Sequence, residues 1–503
     1  MIFERSAKNR DFINISILLI ATLCIGIYLI ATTVIIAKDG VTFIEYARKL
    51  EIAPVETMLN EAQHPGYPWL IIMVYKVTSF LCKNTSVFSW IYCAQSVTLL
   101  SRLITIAILY YIGKKLSGSW LSFWAILIFI VLPKPAEYGS DVLSDWPHLC
   151  FLTAGLLLIL NGASNKRFWL FGFAGLASGM GYLIRPECVQ LIVLGSLWLG
   201  LQLVWHKRII NRGKALCAIC LLIAGFLVTA GPYMKLKGSI FPKKNVDLFT
   251  QEFRQIEISE KSNRIMFASQ FAGSDIPKAF GKLGQNIGET LMWFFVPALL
   301  IGMHTWFKTR KWYETETFLA GALIILNVFL MVCLYCRYRY MSYRHILPLL
   351  ILLVFYVPIG LQELAIWFRH IFSRDADSIS VTGRNEKFWF LILFFIGFFV
   401  CVPKLFMPIR MEKQGHRATA KWLGANTDNT DIVAVPDIRI AFYAQREGVV
   451  YEKDDIPSNA VYVVRIISKN AQNETALTWL LGDVVYEYIN KGGESINVII
   501  RRK

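Results

Sequence analysis

Long apolar segments recur along this chain from one end to the other. A helix needs about 20 mostly apolar residues to cross the hydrocarbon core of a bilayer, and the 503-residue sequence offers eleven candidate segments. They lie at 13–37, 87–113, 120–132, 146–160, 168–184, 189–205, 215–233, 291–307, 318–335, 346–368 and 388–408. Only 17% of the residues are charged, whereas soluble domains carry roughly a quarter. The sequence therefore predicts a polytopic all-α membrane bundle and excludes an ordinary soluble domain.

The basic residues indicate how this bundle is oriented. The formal charge of +17 comes largely from short clusters between apolar segments, where Lys and Arg fix topology on the cytoplasmic side. Five such connections fall inside if the amino terminus is cytoplasmic: 114–115, 166–167, 206–212, 308–311 and 369–387. The first segment is too long for a cleaved signal and is expected to remain as a helix. We expect contact with membrane lipids and no nucleic-acid partner.

The chain changes character after residue 410. Short β-type runs at 431–435, 460–464 and 495–500 alternate with helical stretches at 419–424 and 473–481, a pattern typical of an α/β domain. We therefore predict a transmembrane domain at 1–410, with outer loops at 38–86 and 234–290. A small extracytoplasmic α/β domain follows at 411–503.

One acidic residue comes directly after the first apolar segment. Asp39, Phe43 and Ala47 are spaced by four, which places them on one face of a helix lying along the membrane surface. Asp39 would then stand at the rim of the bundle. The alternative is structural, because a carboxylate at a helix start also caps backbone amides and suits the helix dipole.

Other polar side chains collect on the same predicted face. A rigid turn carries His64 and Tyr67, and a later loop carries Glu137, Asp141 and Asp145 at a spacing of four. If that loop is helical, its three carboxylates stack and raise at least one pKa unless cations are close.

Arginines are available on this face as well. Arg185 and Glu187 occupy one outer turn, while Arg337, Arg339 and Arg344 stand among tyrosines in another. The planar guanidinium fork suits a phosphate because it donates two parallel hydrogen bonds. Anchoring to lipid headgroups by interfacial Arg and Tyr is the alternative. Together, these residues predict an outer cavity with carboxylates for proton abstraction and arginines for a phosphate, which fits a lipid-linked phosphosugar.

These motifs resemble those of GT-C membrane glycosyltransferases, in particular the bacterial relatives of protein O-mannosyltransferases and the lipid A aminoarabinose transferase. The similar elements are Asp39 with its following aromatic residue and Ala, the His64-Pro-Gly-Tyr-Pro turn, the acidic loop at 137–145, the Gly-rich helix ending in Arg-Pro-Glu at 179–187, and Arg344-His-Ile-Leu-Pro. Gly40 departs from the family, since several members have a second acidic residue there.

The resemblance implies a function and a set of site residues. Asp39 would be the catalytic base, and the substrate-binding residues would be His64, Tyr67, Glu137, Asp141, Asp145, Arg185, Glu187, Arg337, Arg339 and Arg344. The donor would be a polyprenyl-phosphate sugar, the acceptor a lipid, glycan or protein, and the location the bacterial cytoplasmic membrane. No cofactor is expected. The one Asp-x-Asp sequence, at 375–377, falls on the cytoplasmic side of this topology, so a divalent metal is not expected either.

Two other functions are compatible with parts of the pattern. A flippase of lipid-linked saccharides would favour repeated halves and charged residues near the bilayer midplane. A polymerase or ligase of preassembled glycans would use long lipid-diphosphate donors instead of monosaccharide phosphates.

Overall fold

The computed structural model describes residues 2–82, 86–204, 210–238, 275–310, 314–372, 382–451, 456–467, 482–490 and 495–501. Within these ranges a bundle of helices is followed by a small domain containing one sheet. The helices are α1 (Ile2–Thr32), α2 (Lys38–Ile52), α3 (Pro54–Asn60), α4 (Gly66–Cys82), α5 (Val87–Ser117), α6 (Ser119–Val131), α7 (Pro133–Tyr138), α8 (Asp145–Ser164), α9 (Leu170–Tyr182), α10 (Gln190–Val204), α11 (Arg212–Lys237), α12 (Asp275–Thr290), α13 (Val296–Thr309), α14 (Thr315–Tyr338), α15 (Leu347–Leu353), α16 (Tyr356–Phe372), α17 (Thr382–Leu405), α18 (Gln414–Asn426) and α19 (Ile438–Ala444). The strands are β1 (Ile432–Val435), β2 (Glu447–Val450), β3 (Tyr462–Ile467), β4 (Gly482–Ile489) and β5 (Ser495–Arg501).

The helices of the structure match the predicted membrane spans in position, but not in number. In the described part of the chain, seven helices are long and apolar enough to cross a membrane, or up to eight if the bent pair α15 and α16 is one span. Each of the eleven predicted segments overlaps a helix. Three of these helices, α6, α9 and α13, have only 13, 13 and 14 residues, which corresponds to about 20 Å of rise. The predicted count of eleven spans is therefore not confirmed.

The break between α15 and α16 has a chemical cause in the sequence. The two helices are bent by 40° at this point, and Pro358 is the third residue of α16. Proline has no N–H to donate to the carbonyl four residues earlier and is tolerated in the first helical turn, so a new helix starts just before it.

Helices α9 and α11 approach closely because glycines face each other. A side chain at Gly175 would collide with the Leu222 carbonyl oxygen, and one at Gly225 would collide with that of Gly172. The close approach holds α9 firmly, and the short 3-10 helix Pro186–Val189 follows directly after it.

The carboxyl-terminal part forms a mixed α/β domain, as predicted. Its sheet has the order β2-β1-β3-β5-β4, with β1 parallel to both β2 and β3 and with β5 antiparallel to β3 and β4. Helices α18 and α19 contribute Leu423 and Ile440 to the buried core against strand residues such as Val433 and Val464. The helical stretch predicted at 473–481, most of the loop predicted at 234–290 and the Asp-x-Asp sequence lie outside the described residues.

This domain is attached to the end of the bundle where α1 stops and α2 begins, which we call the site end. The Ile36 amide donates to the Tyr443 hydroxyl at 3.0 Å, and Arg439 Nη1 donates to the Ile36 carbonyl at 3.3 Å. Helix α19 is thus hydrogen-bonded to the segment that leads into α2.

Candidate functional site

Helix α2 presents Asp39 at the site end of the bundle. Its inner face buries Phe43, Ile44, Ala47 and Leu50, as the spacing of four predicts. Asp39 lies in the first turn, and 51% of its side chain is exposed. A carboxylate at this position is stabilised by the positive end of the helix dipole, while its exposure leaves it open to a substrate.

A chain of ion pairs connects Asp39 to the interior. Arg344 Nη1 lies 2.6 Å from Asp39 Oδ2, and Arg344 Nε lies 2.9 Å from Asp145 Oδ2. Arg185 Nη2 lies 2.9 Å from the other oxygen of Asp145, and Arg185 Nε donates to the Ser144 hydroxyl at 3.0 Å. Two arginines and two carboxylates thus form one network.

The electrostatics of this network keep Arg344 charged. Burial by itself lowers the pKa of Arg344, but the carboxylates of Asp145 and Asp39 outweigh burial and raise the pKa above its ordinary value. The Asp145 side chain is only 2% exposed, so its two arginines are required to offset the cost of burying a charge.

A second buried pair fixes the segment before Asp39. Asp141 is fully buried, and its Oδ1 accepts hydrogen bonds from the amides of Ala37 and Val142 at 3.2 and 2.8 Å. Its Oδ2 lies 2.6 Å from Arg410 Nη2, and Arg410 Nη1 donates to the Ile35 carbonyl at 3.2 Å. Asp141 and Arg410 therefore hold the backbone that leads into α2 in place.

Close packing explains why residue 40 is a glycine. A Cβ atom at residue 40 would lie 2.8 Å from Val142 Cβ and 3.0 Å from the Val142 carbonyl oxygen. The close approach of α2 to the acidic loop therefore leaves no room for a larger side chain at residue 40.

The predicted stack of three carboxylates is replaced by three separate ion pairs. Residues 139–144 are not helical, so the loop does not place the three side chains on one helix face. Glu137 pairs with Lys134 at 3.1 Å, while Asp141 and Asp145 have the arginine partners described above. A cation is thus close to each of the three carboxylates.

His64 and Tyr67 pack inside the bundle. The His64 ring lies against Tyr182 and Tyr233 at centroid distances of 5.1 and 5.3 Å, and burial lowers the pKa of His64 to about 4. The Tyr67 hydroxyl donates to the Ala94 carbonyl at 3.1 Å. The turn also reaches the end of α9, because the amide of Gly66 donates to the Leu183 carbonyl at 2.7 Å. It thereby supports the residues just before Arg185.

The remaining predicted residues lie around this centre. Arg337 and Arg339 are exposed at the end of α14, and Arg339 Nη2 is 3.5 Å from Asp275 Oδ2. Neither has a contact in the ion-pair network. The structure thus brings together Asp39, Asp145, Arg185 and Arg344, and it leaves Arg337 and Arg339 apart.

Arg410 is the residue that sequence reasoning missed. It stands between the last bundle helix and the α/β domain, in the left-handed region with φ of 56°. Burial lowers the pKa of Arg410, but the nearby carboxylates, Asp141 first among them, together raise it above its ordinary value. The one sequence signal was a lone arginine directly after an apolar segment.

A groove of about 340 Å³ opens beside the network. Its polar end contains Arg185, Glu187, His148 and His345, and its apolar wall comes from the 3-10 helix Pro186–Val189, α10 and α14. The residues of that wall are Val189, Val193, Leu326, Leu330, Met331 and Leu334. A polar head with an attached hydrocarbon chain fits this arrangement. Among the residues described, no three His, Cys, Asp or Glu side chains are grouped to hold a metal ion, and metal independence stays a prediction.

Comparison with known proteins supports the same fold. Residues 63–230 match the model of the dolichyl-phosphate-mannose-protein mannosyltransferase family. The structure of ArnT from Cupriavidus metallidurans bound to undecaprenyl phosphate matches with a TM-score of 0.57 and 14% identity, covering 96% of this chain and 97% of that one. The Archaeoglobus fulgidus oligosaccharyltransferase matches with a TM-score of 0.56 and 11% identity, covering 90% of this chain and 69% of that one.

The comparison with curated proteins found no match to this sequence. The family match covers a third of the chain, in the part that supplies the acidic loop and Arg185. The two structures match nearly the whole length of this chain, at identities that establish the fold alone. The chain is thus a multi-pass membrane protein with an ArnT-like GT-C fold.

Proposed function

We propose that this chain is an inverting glycosyltransferase that moves a hexosyl or pentosyl group from a polyprenyl-phosphate donor to a lipid, glycan or protein acceptor. The reaction takes place on the extracytoplasmic face. The observation that carries the proposal is the ion-pair network from exposed Asp39 through Arg344 and Asp145 to Arg185. Arg185 lines the groove, and Asp145 and Arg344 connect it to the exposed Asp39 carboxylate.

The groove beside Arg185 supports a lipid-phosphate donor. Its polar end offers the Arg185 guanidinium to a phosphate, and its apolar wall offers α10 and α14 to a prenyl chain. Two proteins of similar fold point to the same chemistry: ArnT was solved with undecaprenyl phosphate, and the Archaeoglobus fulgidus enzyme AglB with a dolichol-phosphate.

The reaction that fits these groups is a single displacement. The acceptor oxygen or nitrogen attacks the anomeric carbon and gives its proton to the Asp39 carboxylate, while the bond to the lipid phosphate oxygen breaks on the opposite side. Attack opposite the leaving group inverts the anomeric configuration. Arg185 and Arg344 stabilise the negative charge that develops on the departing phosphate.

Arg344 contacts two carboxylates in this scheme, those of Asp39 and of buried Asp145. Its guanidinium lies 2.6 Å from Asp39 Oδ2 and orients this carboxylate. Arginine stays charged throughout, so it neutralises the phosphate without a divalent cation.

The test compares the wild-type chain with Asp39→Asn in lipid nanodiscs, using radiolabelled polyprenyl-phosphate hexoses and pentoses and a membrane extract as acceptor. General-base catalysis contributes about 10²- to 10⁴-fold, and Asp39→Asn should lose at least that lower factor. Glu56→Gln is the matched control, because it also replaces a carboxylate by a carboxamide, at an exposed residue of α3. This variant should keep full activity. Normal transfer by Asp39→Asn would overturn the proposal, as would movement of lipid-linked sugar across the bilayer of sealed proteoliposomes without transfer.

A further inference from the structure

A second cavity lies between the α/β domain and the start of α5. Its volume is about 880 Å³, and it is lined mainly by α18, α19 and the residues that follow each of them. Phe88 of α5 closes one side. Small-molecule sites fall in a range of about 300–1,000 Å³, so this cavity, which we call the tail groove, has room for one or two sugar rings.

The tail groove is lined by cations and by no carboxylate. Arg417, Lys421 and Arg446 contribute to its surface together with Gln414 and Asn429, and Asp and Glu are absent from the described lining residues. In the described part of the chain, no carboxylate lies within ion-pair distance of Arg417 or Lys421. Positive charge is therefore concentrated among the described residues that line this groove.

The three cations have different surroundings. The Arg446 guanidinium donates to neutral oxygens of Gly424, Thr427 and Asn429, so it is held in place by the domain. The Arg417 guanidinium lies over the rings of Phe88 and Tyr443, at 4.7 and 4.2 Å from their centroids. Stacking on rings orients a guanidinium while leaving its N–H groups at the edge available to an anion. Lys421 is exposed.

The tail groove is connected to the ion-pair network through Tyr443. The same ring that lies under Arg417 accepts a hydrogen bond at its hydroxyl from the Ile36 amide at 3.0 Å. Ile36 precedes Asp39 by three residues. The tail groove and Asp39 are thus linked through Tyr443 and the short segment from Ile36 to Asp39.

We infer that the tail groove binds an anionic saccharide, one that carries phosphate or carboxylate groups, as part of the acceptor. Calling this ligand the acceptor rests on the proposed transfer function, whereas the anion binding itself does not. Arg417 and Lys421 contact the anionic groups, and Gln414 and Asn429 supply hydrogen bonds to hydroxyls.

The experiment measures equilibrium binding to the full chain in phosphatidylcholine nanodiscs by calorimetry and ligand-observed NMR. The probe is glucose 1-phosphate, and glucose is the neutral comparison. The groove variants are Lys421→Gln, Arg417→Gln and Arg417→Lys. Lys413→Gln is the matched control, because it removes one positive charge from the residue just before α18, outside the lining residues.

We expect the wild-type chain to bind glucose 1-phosphate and not glucose. Lys421→Gln and Arg417→Gln should each weaken binding by about tenfold, the size of one lost charge-assisted hydrogen bond. Arg417→Lys keeps the charge and should lose less, and Lys413→Gln should bind as the wild type does. Since Lys421 is exposed, its replacement tests the groove without disturbing the fold.

Three results would overturn the inference. They are equal affinity in the groove variants and the control, equal weakening by Lys413→Gln, and displacement of the sugar phosphate by phosphatidylglycerol in the nanodisc, which would make the groove a lipid-headgroup contact. Failure of the transfer function is separate, because it appears as absent transfer by the wild-type chain while the binding differences persist.

Discussion

Arg344 divides its guanidinium group between two carboxylates in very different surroundings. The Asp39 side chain is 51% exposed and the Asp145 side chain only 2%. An exposed ion pair contributes about 0–1 kcal/mol to stability, whereas removing one partner of a buried pair costs about 3–5 kcal/mol. The two acidic residues should therefore separate catalysis from folding.

Asp145→Asn should lower the thermal unfolding midpoint clearly, while Asp39→Asn should leave it nearly unchanged. The physical reason is that Arg185 and Arg344 lose a buried counter-charge in the first variant alone. The measurement is thermal unfolding of both variants in the same nanodiscs, with donor binding by each as a second readout. Equal midpoints for the two variants would contradict the assignment of Asp145 as the buried centre of the network.

His64 should make the chain less stable in acid. Its ordinary pKa is near 6.5, and burial lowers it to about 4 in the folded chain, so protons bind more readily to the unfolded state. Stability is complete above pH 6.5, falls as the pH drops from 6.5 towards 4, and loses about 3 kcal/mol in full. His64→Phe keeps a ring against Tyr182 and Tyr233 and removes this titration.

The unfolding midpoints of the wild type and His64→Phe should accordingly converge at neutral pH and separate below pH 6.5, with the variant less sensitive to acid. Midpoints that follow parallel courses over this pH range would show that His64 does not titrate on unfolding.

Single residues were predictable where a short motif carried them. Asp39, Arg185 and Arg344 each stand in a local pattern, and the structure joins them through Asp145. Arg410 could not be found this way, because its partner Asp141 is distant in sequence and the pair forms when the α/β domain is attached. Arg337 and Arg339 share a motif with Arg344, but the end of α14 turns them away from the network.

At the scale of elements, the acidic loop shows why spacing alone was insufficient. A spacing of four suggested one helix over 137–145, but α7 ends at Tyr138, and Gly139 follows at its C-cap. Prolines at 133 and 135 start this short helix and limit its hydrogen bonding. The break lets Glu137, Asp141 and Asp145 face different cations.

The contact between α9 and α11 should depend on its glycines in a position-specific way. Gly175→Val should destabilise the chain by about 1–3 kcal/mol, the cost of overpacking a close contact, because its side chain meets the Leu222 carbonyl. Gly172→Ala on the same helix is the control, since its Cβ would meet nothing nearer than Leu221 Cβ at 3.6 Å. Thermal unfolding of both variants is the measurement.

Because α9 leads directly into Arg185, Gly175→Val should also weaken donor binding more than Gly172→Ala does. Equal stability of the two variants would show that α9 and α11 do not depend on close backbone contact.

At the scale of the whole molecule, charge distinguishes the two ends of the bundle. The network of Asp39, Arg344, Asp145 and Arg185 occupies the site end, where α1 stops and the α/β domain attaches. At the opposite end, Arg10 of α1 donates to Ser119, and Arg310 donates to the Leu116 carbonyl. These cations lie in or next to the basic connections that the sequence predicts to be cytoplasmic.

This asymmetry predicts that the amino terminus and the α/β domain lie on opposite sides of the membrane. If the site end faces outward, as we propose, alkaline phosphatase fused after residue 503 should be active, and green fluorescent protein at the same point should be dark. A chain truncated after residue 310, next to the basic connection at 308–311, should show the reverse pattern. Fluorescence from the full-length fusion would place the α/β domain inside, where Asp39 could not meet an extracytoplasmic acceptor, and the proposed side of the reaction would then be wrong.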